Sequence, residues 1–374
     1  MLIIIVSSVL AFIAIITPLL SVYMRRQRFC SPNAESEKKP VSIILTVQDN
    51  AKEIEENLQS YLEQDYEAGY EVIVVCAKSE DGTEDALKRF ANNPKLYTTF
   101  IPDSSRYISR RKLAMTLGVK AAHNPWLIFT DITCRPATDK WIKTMAECLG
   151  EDKNIVIGPT VYDEESPLFY RFQRTHDDIS LTHEAAFGTA YRSESKNILM
   201  LRDEFIEGRA FEGNMKYARG EYDFTINKYA KKKGTAITDS EDALMIENEP
   251  TRKEWRNHRL FYMETRRHLK RTASHRFPIF IDMLFFHLSL LLPIAAITYA
   301  ILTDNLPIII AGAVALILTI VLRTIIASRR IKKFHCPVPS WKVIPLEIRL
   351  TWHKLHYWLA YKKADKYDFI THKI

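Results

Sequence analysis

Three polar clusters stand directly after apolar runs in this sequence: Gln48 to Asn50, Ala77 to Asp81, and Asp131 to Thr133. Carboxylates, hydroxyls and amides placed just beyond buried strands can hold a polar ligand, and a carboxylate there can move a proton. Further along, Glu221 and Asp223 flank Tyr222. Lys112, His258 and Arg259 supply charge suited to a phosphate. Plainer readings stand beside these. Asp81 can cap a helix starting near Thr83. Glu221 and Asp223 can lie on a solvated helix face, and Lys112 can be surface charge. His176, Asp177 and Asp178 have the composition of a metal cluster. Neighbours on a helix diverge in direction, so three in a row do not share one ion.

The elements that must position these residues follow from the pattern. VSIILTV (Val41 to Val47) and EVIVVCA (Glu71 to Ala77) read as buried parallel strands, LYTTFIP as a third strand and WLIFTD (Trp126 to Asp131) as a fourth that ends in an acid. Between them lie helical patterns, one with Ile54, Leu58, Tyr61 and Leu62 on a single face, another in RRKLAMTLGVKAA. Strands alternating with helices imply an α/β fold with a mostly parallel sheet flanked by helices. No G-x-G-x-x-G follows the first strand and no G-x-x-x-x-G-K-[ST] occurs, which disfavours a dinucleotide Rossmann domain and a P-loop nucleotidase. Five cysteines at irregular spacing, with no C-x-x-C, exclude a disulfide scaffold and a structural zinc site. A reduced, cytosol-facing compartment is the expectation.

The chain carries a net charge of +7 over 374 residues. Its location decides its meaning. Leu2 to Val22 is almost wholly apolar and long enough to span a bilayer. Arg25, Arg26 and Arg28 follow it, so a retained anchor with its N-terminus outside is expected. Two further apolar segments, Met283 to Leu302 and Pro307 to Ser328, are divided by the turn TDNLP and flanked by RRHLKR and RRIKK. They read as a hairpin with both ends inside. Asp282, His287 and Arg323 lie in or near these spans, with Asp282 and Arg323 close enough to the ends to snorkel. The tail WKVIPLEIRLTWHKLHYWLAYKK reads as an interfacial amphipathic helix, or else as one packed on the soluble domain. Membrane flanks absorb much of the charge, so a nucleic-acid partner is disfavoured.

The stretch from VSIILTVQDN to DALKRF resembles the opening of the family-2 glycosyltransferases of GT-A fold. So does RRKLAMTLGVKAAHNPWLIFTDITCRPATDKWIKTM, where that family carries a strand ending in Asp-x-Asp and then Cys and Pro. FGTAYRSE, RGEYDFTINKYAKKKG and EPTRKEWRNHR are similar to its acceptor-side and Trp/Arg-containing segments. The resemblance covers residues 40 to 270. It implies a membrane-anchored glycosyltransferase that moves a sugar, with inversion, from a nucleoside diphosphate sugar to a lipid-linked or surface-glycan acceptor. It implies a divalent cation, Mn2+ or Mg2+, held by Asp131 and Thr133. It implies nucleotide-sugar contacts from Thr46, Asp49, Ser79, Asp81, Lys112 and Asp131. Trp255, His258 and Arg259 stand for the acceptor or diphosphate loop, and Glu221 and Asp223 for the base. The aromatic run FYRFQR (Phe169 to Arg174) can stack an acceptor sugar, though core packing explains it as well.

The sequence departs from the family at three acidic positions. The second strand ends in Cys76 and Ala77 where acids usually stand. The Asp-x-Asp motif reads Asp131-Ile132-Thr133. The acceptor motif reads Gly220-Glu221-Tyr222-Asp223, with Tyr222 in the base position. A GT-A-like domain that binds a partner or a lipid-linked sugar without transfer is therefore the alternative. The expected organisation is an anchor (1–23), a linker (24–40), the transferase domain (41–270), a membrane hairpin (271–330) and an interfacial tail (331–374). The domain is expected on the cytoplasmic face of a bacterial inner membrane.

Overall fold

The computed structural model describes every residue except 34–38, 103–108, 151 and 371–374. Part of the expected linker and the end of the tail lie outside the described residues. The chain divides into two compact units. One comprises residues 27–174, 181–270 and 357–374, the other residues 1–26, 175–180 and 271–356.

The larger unit is built on a seven-stranded sheet. In chain order its strands are β1 (Val41–Val47), β2 (Tyr70–Cys76), β3 (Leu96–Phe100), β4 (Trp126–Phe129), β6 (Ile155–Ile157), β8 (Ile198–Leu201) and β9 (Thr235–Ile237). Across the sheet the order is β3-β2-β1-β4-β8-β6-β9. β1 pairs parallel with β2 and β4, as the continuous apolar runs predict, while β8 pairs antiparallel with both β4 and β6. Alternate residues of β1 serve different layers. Ile43 and Leu45 pack with Ile54, Leu58 and Tyr61 of α2 (Ala51–Leu62); Ile44 packs with Ala114, Met115 and Val119 of α4 (Arg110–Ala121). Both faces are covered, which is why β1 reads as a solid apolar run. The helix α3 (Thr83–Lys88) follows β2, and α5 (Trp141–Glu147) packs beside Tyr61.

A three-stranded sheet joins β5 (Cys134–Pro136), β10 (Met245–Glu247) and β7 (Thr160–Tyr162), in the order β5-β10-β7. Strands of three residues give no periodic signal, and none of these is expected from the sequence. The remaining helices are α6 (Leu168–Phe187), α7 (Arg202–Glu207), α8 (Glu221–Tyr229) and α9 (Arg252–Thr265). Gly220 enters α8 at φ +88°, and a Cβ there would lie 2.6 Å from Thr265 Cγ2, so both conformation and space demand glycine.

The smaller unit contains α1 (Leu2–Leu19), α10 (Ala273–Leu302), α11 (Leu306–Lys332) and the start of α12 (Val343–Lys363). α10 and α11 are long and apolar enough to cross a membrane; α1 is shorter. Leu10 and Ala14 pack on Ala315. Gly312 lets α11 approach α10 closely: a Cβ there would sit 2.6 Å from Ile297 Cγ1. Much of the helical surface is apolar and exposed, including Phe12, Leu291, Leu302, Leu306 and Ile317. Asp282 and Arg323 correct the expectation of snorkelling. Arg323 binds Glu347 of α12 through two contacts of 2.8 Å and Asp282 at 3.0 Å, and all three are buried. Pairing removes the cost of a lone buried charge, so no escape to the interface is needed. His287 Nδ1 bonds Met283 O at 2.8 Å.

The cysteines bring a second correction. Cys30 and Cys148 form a disulfide across a Cα separation of 5.7 Å, 118 residues apart in sequence. Cys76, Cys134 and Cys336 lie outside this bridge and are buried. One bridge is not a scaffold, but it overturns the expectation of uniformly reduced cysteines. Spacing carries no trace of it, because only the fold brings Cys30 against α5.

Candidate active site

The β4–β8 pairing sets the geometry of the site. Phe129 lies opposite Ile198. In an antiparallel ladder, going two residues forward on one strand goes two back on the other. Asp131 therefore faces Lys196, and their charged groups stand 3.3 Å apart. The small sheet adds the third member. Glu247 is opposite Cys134, so its carboxylate reaches the same ammonium at 2.7 Å. Thr133 Oγ1 accepts from Lys196 Nζ at 3.3 Å. Thr133 N donates to Asp131 Oδ1 at 3.1 Å and fixes the carboxylate's orientation. Tyr61 OH donates to the carbonyl of Cys134 at 2.6 Å and lies 3.1 Å from that of Asp131, holding this turn to α2.

A second cation arrives from α4. Arg111 pairs with Asp131, and its Nε lies 2.8 Å from Glu221 Oε1. Arg174 pairs with Glu247. Three carboxylates thus meet three cations. The carboxylates lie beneath: the side chains of Asp131, Glu221 and Glu247 are 5%, 7% and 9% exposed, those of Arg111 and Lys196 24% and 23%. Positive charge is what the solvent side presents. Burial would raise the Asp131 pKa, but Arg111 and Lys196 outweigh it and hold the carboxyl far below its usual range. Burial likewise opposes charge on Lys196, and Asp131 with Glu247 overcomes it, keeping the ammonium protonated well past its ordinary range.

Beside this cluster lies another. Arg192 pairs with Glu194 and reaches Asp223 Oδ1 at 3.3 Å. Arg259 lies 3.7 Å from the same Glu194 carboxylate. Residues 221 and 223 start the same helix two positions apart, so their side chains point differently. Glu221 faces Arg111 and Asp223 faces Arg192. Burial pushes the Asp223 carboxyl up to about 6, against the pull of Arg192. Burial acts on Glu221 too, but Arg111 and Arg219 keep its carboxyl below the usual range.

The other expected residues take these places. Asp81 Oδ2 accepts from Ala51 N at 2.8 Å, and Oδ1 accepts from Thr83 N at 3.0 Å. It caps two helix starts and ties the loops after β1 and β2 together. Asp49 Oδ1 accepts from Glu80 N at 3.0 Å, and Ser79 Oγ accepts from Asp49 N at 3.0 Å, bracing the same loops. Thr46 is buried in β1. Trp255, His258 and Arg259 sit on a helix, α9, rather than in a loop. Trp255 stacks on Tyr170 at 3.8 Å and Arg259 lies over Trp255 at 4.3 Å, while His258 is exposed. Tyr222 at the base position has its hydroxyl pKa raised by burial, so it holds its proton. Asp177 is paired with Lys354 at 2.8 Å, and no group of three metal-capable side chains occurs among the described residues.

Lys112 is a correction. Its ammonium is buried and donates to the carbonyls of Asn214, Tyr217 and Arg219 at 3.0, 2.7 and 3.0 Å. It holds the segment leading to Glu221 and cannot also reach a phosphate. Arg111, one residue earlier, points to the site instead. Arg111, Lys196, Glu247, Arg192 and Glu194 are absent from the expected set. The signal for Glu247 is faint: an acid after a two-residue apolar step in MIENEP.

Asp131 and Thr133, expected as metal ligands, converge with Glu247 on the Lys196 ammonium. As arranged they do not fit a divalent ion. An ion bound to Asp131 would meet Lys196 and Arg111 at contact distance, and a double charge 4 Å from a single one costs roughly 8 kcal/mol at an effective dielectric constant near 20.

Residues 42–220 match the family described as Glycosyl transferase family 2. Among solved structures, the mannosyltransferase PcManGT from Pyrobaculum calidifontis, in complex with GDP-Man and Mn2+, is similar in fold. Its TM-score is 0.53 at 19% identity, over 94% of this chain and 99% of that one. TarS of S. aureus gives a TM-score of 0.42 at 15% identity, over 60% of this chain and 39% of its own. A search of curated proteins gives no match.

The role of Lys112 has a direct test. Lys112→Met strips three buried carbonyls of their donor and should cost roughly 2–4 kcal/mol of stability. The thermal midpoint in detergent should fall accordingly, with nucleotide affinity of the folded protein unchanged. A lysine that bound phosphate would show the reverse.

Proposed function

We propose that this chain, whose residues 42–220 match glycosyl transferase family 2, moves a sugar from a nucleoside diphosphate sugar to a lipid-linked or surface-glycan acceptor at a membrane face. The observation that carries this reading is the charged cluster of Asp131, Arg111, Lys196 and Glu247 just past the end of β4. Its accessible members are cations, which suits a diphosphate leaving group. Ligands of parallel sheets bind beyond the carboxyl ends of the strands. The braced loops of Asp49, Ser79 and Asp81 lie past the ends of β1 and β2, where the base and ribose would rest, with Thr46 beneath. In α9 the exposed His258 can meet the diphosphate or the acceptor, with Trp255 and Arg259 buried as the stack that supports it.

We assign Asp223 as the base. Attack by the acceptor hydroxyl forms the new C–O bond at the anomeric carbon. The bond to the diphosphate oxygen breaks, the nucleoside diphosphate leaves with the electron pair, and the hydroxyl proton passes to the Asp223 carboxylate. A carboxyl near 6 is ionised at neutral pH yet basic enough to accept a proton. Glu221 positions Arg111. Binding without transfer is the competing reading, favoured by Tyr222 at the base position.

Residues 41–270 form the transferase domain in this account, with 1–23 as anchor, 24–40 as linker, 271–330 as hairpin and 331–374 as interfacial tail. Exposed Trp341, Trp352 and Trp358 suit a membrane interface. Basic residues after α1 and α11 favour a cytoplasmic domain with the α10–α11 turn outside. An Asp304→Cys variant should then react with an impermeant thiol reagent in intact cells, above the parent's background. Labelling only after lysis would reverse the topology.

The base assignment yields a pH test. With the folded carboxyl near 6, kcat/KM should fall about tenfold per unit as pH drops below 6. Asp223→Asn should remove that limb and lower the rate roughly 100-fold or more. The stability share runs the other way: a raised carboxyl favours the fold when protonated, and this contribution is lost as pH rises through about 6. An unaltered acid limb in Asp223→Asn would sink the assignment.

A further inference from the structure

We propose that Lys196 and Arg111 together take the place of the divalent ion, so that this chain binds the donor diphosphate without metal. The inference rests on the glycosyl-transfer reading above and sharpens it.

Three observations carry it. First, Lys196 Nζ stands among Asp131, Glu247 and Thr133, at 3.3, 2.7 and 3.3 Å. These are oxygen groups of the kind that hold a hard cation, and the cation they hold is an ammonium. Second, Lys196 and Arg111 both pair with Asp131. Two single charges on one carboxylate equal the charge a divalent ion would bring. Third, these cations are the solvent-facing part of the cluster, with the carboxylates buried behind them. Arg111 bonds through Nε and one terminal nitrogen to Glu221 and Asp131, which leaves the other edge of a planar guanidinium open to a phosphate. The 3.3 Å contacts of Lys196 to Asp131 and Thr133 are long, and a phosphate oxygen can replace them at little loss.

The β4–β8 register explains how a lysine comes to be there. Position 196 faces position 131 whatever its side chain. Thr133 supplies a neutral hydroxyl where a divalent ion would call for a second carboxylate, and Lys196 supplies the positive charge opposite Asp131.

Titration calorimetry of the full chain in detergent tests this, with UDP and GDP as probes, in EDTA and then with Mn2+. One of the two should bind in EDTA, and adding Mn2+ should change its Kd by less than about threefold. Mn2+ alone should show no bound signal by electron paramagnetic resonance. Lys196→Ala should weaken that nucleotide roughly 10–100-fold in EDTA, the loss of one charge-assisted bond. By freeing Asp131 and Glu247 it should also make binding respond to Mn2+. Lys196→Arg, which keeps the charge, should retain metal-free binding and guards against misfolding of the alanine variant. Tightening of the wild-type complex tenfold or more by Mn2+ would overturn the substitution while leaving a donor site in place. Metal-free binding that survives in a folded Lys196→Ala chain would overturn it as well. Failure of both nucleotides under both conditions would remove the donor site itself.

Discussion

The contact between Asp131 and Lys196 organises the site. It exists because β8 runs antiparallel to β4, so the position two residues before β8 is set against the position two residues after β4. From that contact the rest follows. Glu247 can be buried because Lys196 and Arg174 neutralise it, and Asp131 can be buried because Lys196 and Arg111 do. Arg111 in turn stabilises Glu221 at the start of α8. Removing one member would leave an uncompensated buried charge, which costs far more than the net worth of the pair.

The surrounding fold serves this arrangement with backbone devices. Asp81 joins the first turns of α2 and α3, Lys112 gathers the carbonyls before α8, and Gly220 allows the close approach of Thr265. Each sets the position of a loop at the same edge of the sheet. The proposed transfer requires a diphosphate and a hydroxyl to be oriented together, which a braced edge suits, since much of the rate of a group transfer comes from holding the reactants in line.

Much of the fold is legible in the sequence, for a physical reason. Strands covered on both faces need an apolar residue at every position, so β1, β2 and β4 stand out as runs. Helices covered on one face need a stripe, so α2 shows Ile54, Leu58 and Tyr61 at helical spacing. Asp131 is legible because a strand end is marked by the apolar run before it. Lys196 is not, since its meaning depends on a register between segments about 70 residues apart in the chain. Lys112 and Arg111 illustrate a finer limit. Both lie in the first turn of α4, and only the helix phase decides that Lys112 turns inward to carbonyls and Arg111 toward Asp131. The Cys30–Cys148 bridge and the three-residue strands are hidden for the same reason as Lys196. The Arg323–Asp282–Glu347 cluster shows that a charge in or beside an apolar segment can be read from sequence while its partner cannot.

The central claim is that the cations beyond β4 form the donor diphosphate site. A crystal structure of the chain with a bound nucleoside diphosphate, grown with Mn2+ present, examines it most directly. Diphosphate oxygens should lie within hydrogen-bond distance of Lys196 and Arg111, with Lys196 still held by Glu247 and Asp131 still paired to Arg111. A Mn2+ ion bridging Asp131 and the diphosphate, with Lys196 swung away, would contradict it.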